Sequence, residues 1–263
     1  MKETLGIEPL AAQIRDGKAA IIRLQDGTAQ RNRAPYSMSD MPLNTDDVYQ
    51  NVKQRIYQSL EARGEREESL CLIAVSKTQP LEAVENLYNK GQRHFGENRV
   101  QEAKQKFDVF KKDHDDVCLH LLGPLQSNKV KEAVALFDMI HSLDRPKLAY
   151  ALAQEMQKQR RSLPCFIQVN TGEEPQKAGI LPSAALNFVQ ECRTLGLLIK
   201  GLMCIPPACE DPTPHFAFLS HLARQAGLEA LSMGMSQDFE TAIALGATHI
   251  RVGTALFGKR ISR

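Results

Sequence analysis

A lysine closes an apolar run at Cys71-Leu72-Ile73-Ala74-Val75-Ser76-Lys77. An amine at the rim of an apolar sheet loses hydration, which favours its neutral form, and a neutral amine condenses with an aldehyde to an imine. The competing reading is a surface lysine whose stem lies on apolar surface while its ammonium reaches water. Late in the chain, Ser232-Met233-Gly234-Met235-Ser236 runs into the amphipathic segment Gln237–Leu245, and Gly253-Thr254 belong to the last apolar run. Backbone N–H groups at a helix start attract an anion, glycine lets it approach, and the Ser236 and Thr254 hydroxyls add donors. Ser236 fits equally well as a plain N-cap, and Asp238 close by opposes a bound anion. In His249-Ile250-Arg251-Val252-Gly253, alternation places Ile250 and Val252 on one face and Arg251 and Gly253 on the other. With the apolar pair packed on helices, Arg251 points inward, where a charge needs a partner. That partner is either an inward acid or the ring nitrogen of a bound heterocycle.

An imine-forming amine, an anion cradle and a guanidinium on one rim match the aldehyde, phosphate and pyridine nitrogen of pyridoxal 5′-phosphate (PLP). Because arginine stays protonated, it would donate to the ring nitrogen and keep it unprotonated, which weakens the ring as an electron sink.

These residues need a scaffold that gathers strand ends. From Asp46 onward the pattern supplies one. Val48, Val52, Ile56 and Leu60 recur every four residues and predict a helix ending near Gly64. Predicted strands follow at Cys71–Lys77, His94–Asn98, Cys118–Gly123, Met139–Asp144, Cys165–Asn170, Ile199–Ile205, Glu229–Gly234 and His249–Phe257. Between them lie predicted helices at Leu81–Lys90, Val100–Lys111, Asn128–Phe137, Lys147–Arg160, Ser183–Leu195, Pro214–Gln225 and Gln237–Leu245, several stopped by glycine at 91, 196, 227 and 246. This alternation predicts an α/β fold, a single TIM-type (β/α)8 barrel with an extra N-terminal helix that covers the seam between last and first strands. A doubly wound open sheet ranks second, since no Gly-x-Gly-x-x-Gly follows the first strand. In such a barrel the site lies at the C-terminal ends of the strands.

Bulk properties exclude other classes. The 33 basic and 31 acidic residues leave a net charge of +2, too little to attract nucleic acid or an anionic membrane over distance. The six cysteines form no Cys-x-x-Cys pair, and the seven histidines no His-Glu-x-x-His, so spacing predicts neither a disulfide framework nor a metal. His120 reads as a satisfied core or supporting residue. Lys104, Lys106, Lys111, Lys112 and Lys131 read as solvated helix faces, with Lys129 close enough to the Gly123–Asn128 turn to help hold an anion. Thiols inside apolar runs, and the lack of a signal segment or apolar span, predict a cytoplasmic protein. Residues 1–40 show no sustained periodicity; they read either as a flexible extension or as a translation start placed upstream of Met41 or Met38, with residues 41–263 forming the barrel. We favour the upstream start.

The chain resembles the pyridoxal phosphate homeostasis proteins, which are related to the barrel domain of alanine racemase. The resemblance rests on Ala74-Val75-Ser76-Lys77, on residues 95–102 (Phe-Gly-Glu-Asn-Arg-Val-Gln-Glu), on residues 120–129 (His-Leu-Leu-Gly-Pro-Leu-Gln-Ser-Asn-Lys), on Gly201-Leu202-Met203, on residues 231–236 and on residues 251–258. It runs in order from about Asn44 to Gly258. It implies that Lys77 carries PLP as a Schiff base, that Arg251 faces the pyridine nitrogen, and that Ser236, Gly253 and Thr254 hold the phosphate. Asn98 and Met233 are implied to line the pocket, and Arg99, where some relatives have Tyr, receives no role. The implied work is intracellular PLP (vitamin B6) homeostasis, with effects on amino-acid and keto-acid balance. Apo forms of PLP-dependent enzymes are the implied recipients, and a closed barrel can stand alone as a monomer.

Two catalytic alternatives compete. A racemase needs an acid or base on each face of the substrate α-carbon, and Tyr36, Tyr49, Tyr57, Tyr88 and Tyr150 all fall in the tail or in predicted helices. A phosphosugar aldolase using Lys77 as its imine lysine would be colourless.

Overall fold

The computed structural model describes residues 45–258; the expectations for residues 1–40 lie outside them. The chain runs α1 (Thr45–Glu61), β1 (Cys71–Val75), α2 (Leu81–Asn89), β2 (His94–Glu97), α3 (Val100–Asp113), β3 (Cys118–Leu121), α4 (Val130–Leu136), β4 (Met139–Leu143), α5 (Pro146–Gln159), β5 (Cys165–Gln168), α6 (Pro182–Thr194), β6 (Ile199–Met203), α7 (Pro212–Gln225), β7 (Ala230–Ser232), α8 (Phe239–Ala244), β8 (His249–Val252) and α9 (Thr254–Phe257). The strands pair in parallel in sequence order and close on themselves, with Cys71 opposite His249 and Ala74 opposite Val252 at the seam. The predicted barrel is therefore present, and it excludes the open sheet. Glycines 91, 196, 227 and 246 all follow helices with positive φ, the conformation that ends a helix cheaply only for glycine.

Two layers of side chains hold this closure. Outward-facing strand residues such as Ile250 and Val252 are fully buried against the helices, together with Phe95, Phe107, Phe137, Phe216 and Phe239. Burying a side chain of that size contributes about 1.5–3 kcal/mol. The inner layer is of a different kind. Phe166, Met203 and Ala230 form a small separate cluster, and much of the remaining interior is imidazole, hydroxyl and guanidinium from His120, His141, Ser232 and Arg251, each at most 5% exposed.

The extra helix covers the seam as expected. α1 packs on α8 and α9, with Arg55 paired to Glu240 at 2.6 Å and Arg63 Nη1 donating to Ile243 O at 2.6 Å. On its other side the Tyr49 hydroxyl donates to Gln92 Oε1.

One predicted element fails. The last strand, expected to reach Phe257, stops at Val252, and residues 254–257 turn into α9. The N–H groups of Gly253 and Ala255 donate to Ser236 Oγ at 3.2 and 3.3 Å, which takes the backbone out of the ladder. The apolar run Ala255-Leu256-Phe257 thus packs as a helix face.

Candidate functional site

Strand register puts Lys77, Asn98, Ser236, Arg251, Gly253 and Thr254 around one cavity of about 300 Å³ at the C-terminal rim. Met233 is not among them. It is fully buried in the hydrophobic core, because Gly234, with φ +90°, reverses the chain so that Met235 faces the cavity instead. An added Cβ at Gly234 would meet Ala242 Cβ at 2.5 Å, so only glycine makes this turn beside α8.

The segment carrying Lys77 is clamped from below. Fully buried Glu97 accepts from Ser76 Oγ at 2.6 Å and pairs with Lys106 at 2.5 Å. Lys106 Nζ also donates to Ser76 O at 2.7 Å and Gln79 O at 3.3 Å. Burial pushes the Glu97 carboxyl above the usual carboxylate range, with Lys106 and Ser76 pulling it back. The residue after the lysine, Thr78, sits at φ +64°, a region costly for a β-branched side chain, and its N–H is fixed by the Glu102 carboxylate. Lys106 thus corrects the expectation of a solvated face: the α3 face that carries it is turned onto the barrel mouth. Lys77 itself is half-buried.

Arg251 is 5% exposed and donates to Ser232 Oγ at 2.7 Å and Cys204 O at 2.8 Å. No carboxylate lies within ion-pair distance of it among the described residues. Its partners are neutral and it lines the cavity, so the salt-bridge reading fails. Burial lowers its pKa, from a starting value high enough that the guanidinium stays charged.

The anion end differs in detail from expectation. α8 starts at Phe239, with Asp238 rather than Ser236 at its N-cap position, and the Asp238 carboxylate accepts from Met235 N at 2.5 Å. Ser236 instead accepts from the turn that opens α9. The donors able to face an anion are thus the Ser236 and Thr254 hydroxyls and the Thr254 N–H, the Gly253 N–H being taken up by Ser236 Oγ. An added Cβ at Gly253 would lie 3.5 Å from Val75, an ordinary contact. Lys129 pairs with Glu132 at 3.3 Å and does not line the cavity.

Residues missed from sequence lie on both ends of the barrel. At the mouth they are Val75, Leu122, Ile205, Met235 and Gln237. Below it, a hydrogen-bonded row crosses the interior: His94 Nδ1 to His120 Nε2 at 3.0 Å, His120 Nδ1 to His141 Nε2 at 3.0 Å, and His141 Nδ1 to Ser232 Oγ at 2.8 Å. Phe166 stacks on His141 with ring centroids 4.4 Å apart. His120 is a supporting core residue, as expected, but it belongs to a chain of contacts that ends on Arg251. Tyr49, Tyr57, Tyr88 and Tyr150 lie on α1, α1, α2 and α5, and none lines the cavity.

Residues 53–261 match the family described as alanine racemase, N-terminal domain. The pyridoxal phosphate homeostasis protein of Vibrio cholerae is 37% identical over 227 residues, covering 81% of this chain and 96% of that protein. PipY of Synechococcus elongatus, solved with PLP bound, is 41% identical with a TM-score of 0.68, covering 79% of this chain and all of that one. Alanine racemase of Clostridium difficile shares the fold at 14% identity and a TM-score of 0.63, over 83% of this chain and 57% of that one. The chain belongs to the pyridoxal phosphate homeostasis protein family, built on the alanine-racemase barrel.

Proposed function

We propose that this chain holds PLP on Lys77 as a Schiff base and serves intracellular PLP homeostasis without turning over a substrate. The observation that carries the reading is Arg251, a guanidinium buried beneath the same cavity as Lys77 and partnered only by neutral groups among the described residues. A permanent donor under that rim fits an acceptor nitrogen in an aromatic ring, and the hydroxyls of Ser236 and Thr254 on the turn at Gly253–Thr254 fit a phosphate. Asn98 lines the wall. When bound, PLP supplies an electrophilic carbon and an electron sink, and a ring nitrogen kept unprotonated by Arg251 blunts the sink.

For the racemase alternative, no tyrosine among the described residues lines the cavity. Relatives are named for homeostasis, and PipY was solved with PLP; both support the carrier reading. Apo PLP-dependent enzymes are its recipients, the working unit is a monomer and its compartment the cytoplasm. Among the described residues no helix is long and apolar enough to cross a membrane.

Borohydride reduction followed by peptide mapping tests the proposal. The expected result is a reduced pyridoxyl group on Lys77 alone. A label on another lysine, or none after incubation with PLP, sinks it. Proton exchange at the α-carbon of alanine, serine or glutamate at enzymatic rates would overturn the carrier assignment while leaving the attachment intact.

A further inference from the structure

We propose that Cys71, His94 and His120 form a binding site for a divalent d-block cation of the zinc type at the floor of the barrel, opposite the Lys77 cavity. Cys71 opens β1, His94 opens β2 and His120 sits inside β3. Cys71 Sγ, one ring nitrogen of His94 and one of His120 all lie within 4.8 Å of one another. Tetrahedral zinc, with Zn–S of about 2.3 Å and Zn–N of about 2.0–2.1 Å, sets such atoms about 3.3–3.6 Å apart. The 3.0 Å His94–His120 contact needs to open slightly and the thiol to close in, both by side-chain rotation. A thiolate with two imidazoles selects zinc-class ions over magnesium and calcium, which take oxygen ligands. Sequence spacing concealed the set because each ligand comes from a different strand.

The surroundings suit a metal. His120 is held through its second ring nitrogen by His141, the kind of contact that orients a ligating imidazole and fixes its tautomer. His120 and His141 are both fully buried, and neutral imidazole is the ligating form. A cavity of about 530 Å³ reaches Cys71 and His94 from the floor, past Gln92, Thr248 and His249. It offers an entry path and room for water as a fourth ligand.

The protons can be accounted for. Without a cation, Ser232 Oγ accepts an N–H from Arg251, and the starting tautomer in this proposal has its own O–H donating to His141 Nδ1. That sets His141 Nε2–H toward His120 and His120 Nε2–H toward His94. A cation on His120 Nε2 requires that proton to re-site on Nδ1, the His141 proton to follow to its own Nδ1, and Ser232 to accept from both sides. The Cys71 thiol proton leaves to solvent as the metal–sulfur bond forms; the imidazole protons stay within the row. Loading the floor therefore alters the residue that holds Arg251. This coupling rests on the PLP reading above, whereas the cation site does not.

Cobalt(II) titration of the untagged full chain, with exposed Cys209 changed to Ser, decides the matter. The expected result is one equivalent bound with tetrahedral d–d bands and a thiolate-to-cobalt charge-transfer band, displaced by zinc(II). In Cys71→Ser the charge-transfer band disappears. In His94→Gln, which touches no thiol, affinity falls by roughly 100-fold or more, beyond the loss typical of a merely supporting residue. No tight stoichiometric binding, or a spectrum unchanged in a folded Cys71→Ser variant, overturns the site. For the coupling, zinc-loaded and zinc-free protein should differ in PLP affinity, with PLP shifting zinc affinity by the same factor. Equal affinities discard the relay, and failure of PLP to bind discards the function above while the cobalt result still judges the floor.

Discussion

The two ends of this barrel are built on opposite plans. At the mouth, the cavity-lining residues hang on strand ends and turns, held by an ion pair, a strained threonine and one serine that caps a distant helix. At the floor and through the interior, histidines from four strands contact one another directly. The mouth uses charge and backbone geometry to aim side chains into an open cavity. The interior uses neutral imidazoles, which can both donate and accept, to satisfy one another where water is scarce. The two ends therefore respond to different perturbations.

The sharpest way to separate them is Lys77→Ala. The cofactor absorption band and borohydride labelling should vanish completely, while thermal stability without PLP stays near the parent's, since the side chain is only half-buried. A large loss of stability would mean that the lysine is structural.

Lys106→Met attacks the clamp. It leaves Glu97 buried beside Ser76, and breaking a buried pair costs about 3–5 kcal/mol. Urea unfolding should show that loss, and adding Glu97→Gln should recover much of it. If the single variant costs nothing, the clamp does not hold the mouth.

Acid attacks the interior. Burial lowers His249 from 6.5 to about 4 and holds His120 and His141 neutral. The unfolded chain therefore takes up protons first as pH falls. Stability should be level above about pH 6.5 and decline below it by up to about 1.4 kcal/mol per pH unit for each histidine, for His249 down to about pH 4. Melting curves across that range should show it, with a shallower decline in His249→Asn. A flat profile would mean that these imidazoles take up protons as readily in the fold as in the unfolded chain.

The smallest effect concerns Thr78. Replacing it with glycine relieves the φ +64° backbone and should raise stability by about 1 kcal/mol, while weakening PLP binding because Lys77 is aimed less firmly. Gain without that weakening would mean that the strain does not serve the lysine.

The contrast between the two ends also explains what could be read from the sequence. Lys77 and Arg251 were legible because each depends on local alternation along one strand. The helices were legible from four-residue periodicity and glycine stops. Met233 was misplaced because the turn at Gly234 inverts which neighbour faces out. Lys106 was misread because its spacing from Lys104 and Lys111 resembles a solvated face, and only the docking of α3 turns it inward. The bond from Ser236 to the turn opening α9 joins residues seventeen or more apart, and the histidine row depends on the register of four strands. Neither leaves a local trace.

The seam has a consequence for biosynthesis. β1 finds one of its two neighbours only when β8, almost 180 residues later, has left the ribosome, and α1 waits as long for α8 and α9. Until then the nascent chain carries an unpaired strand edge, a template for mispairing with other chains. Substitutions near the carboxyl end that slow closure should therefore lower yield through aggregation before they lower the stability of the finished molecule.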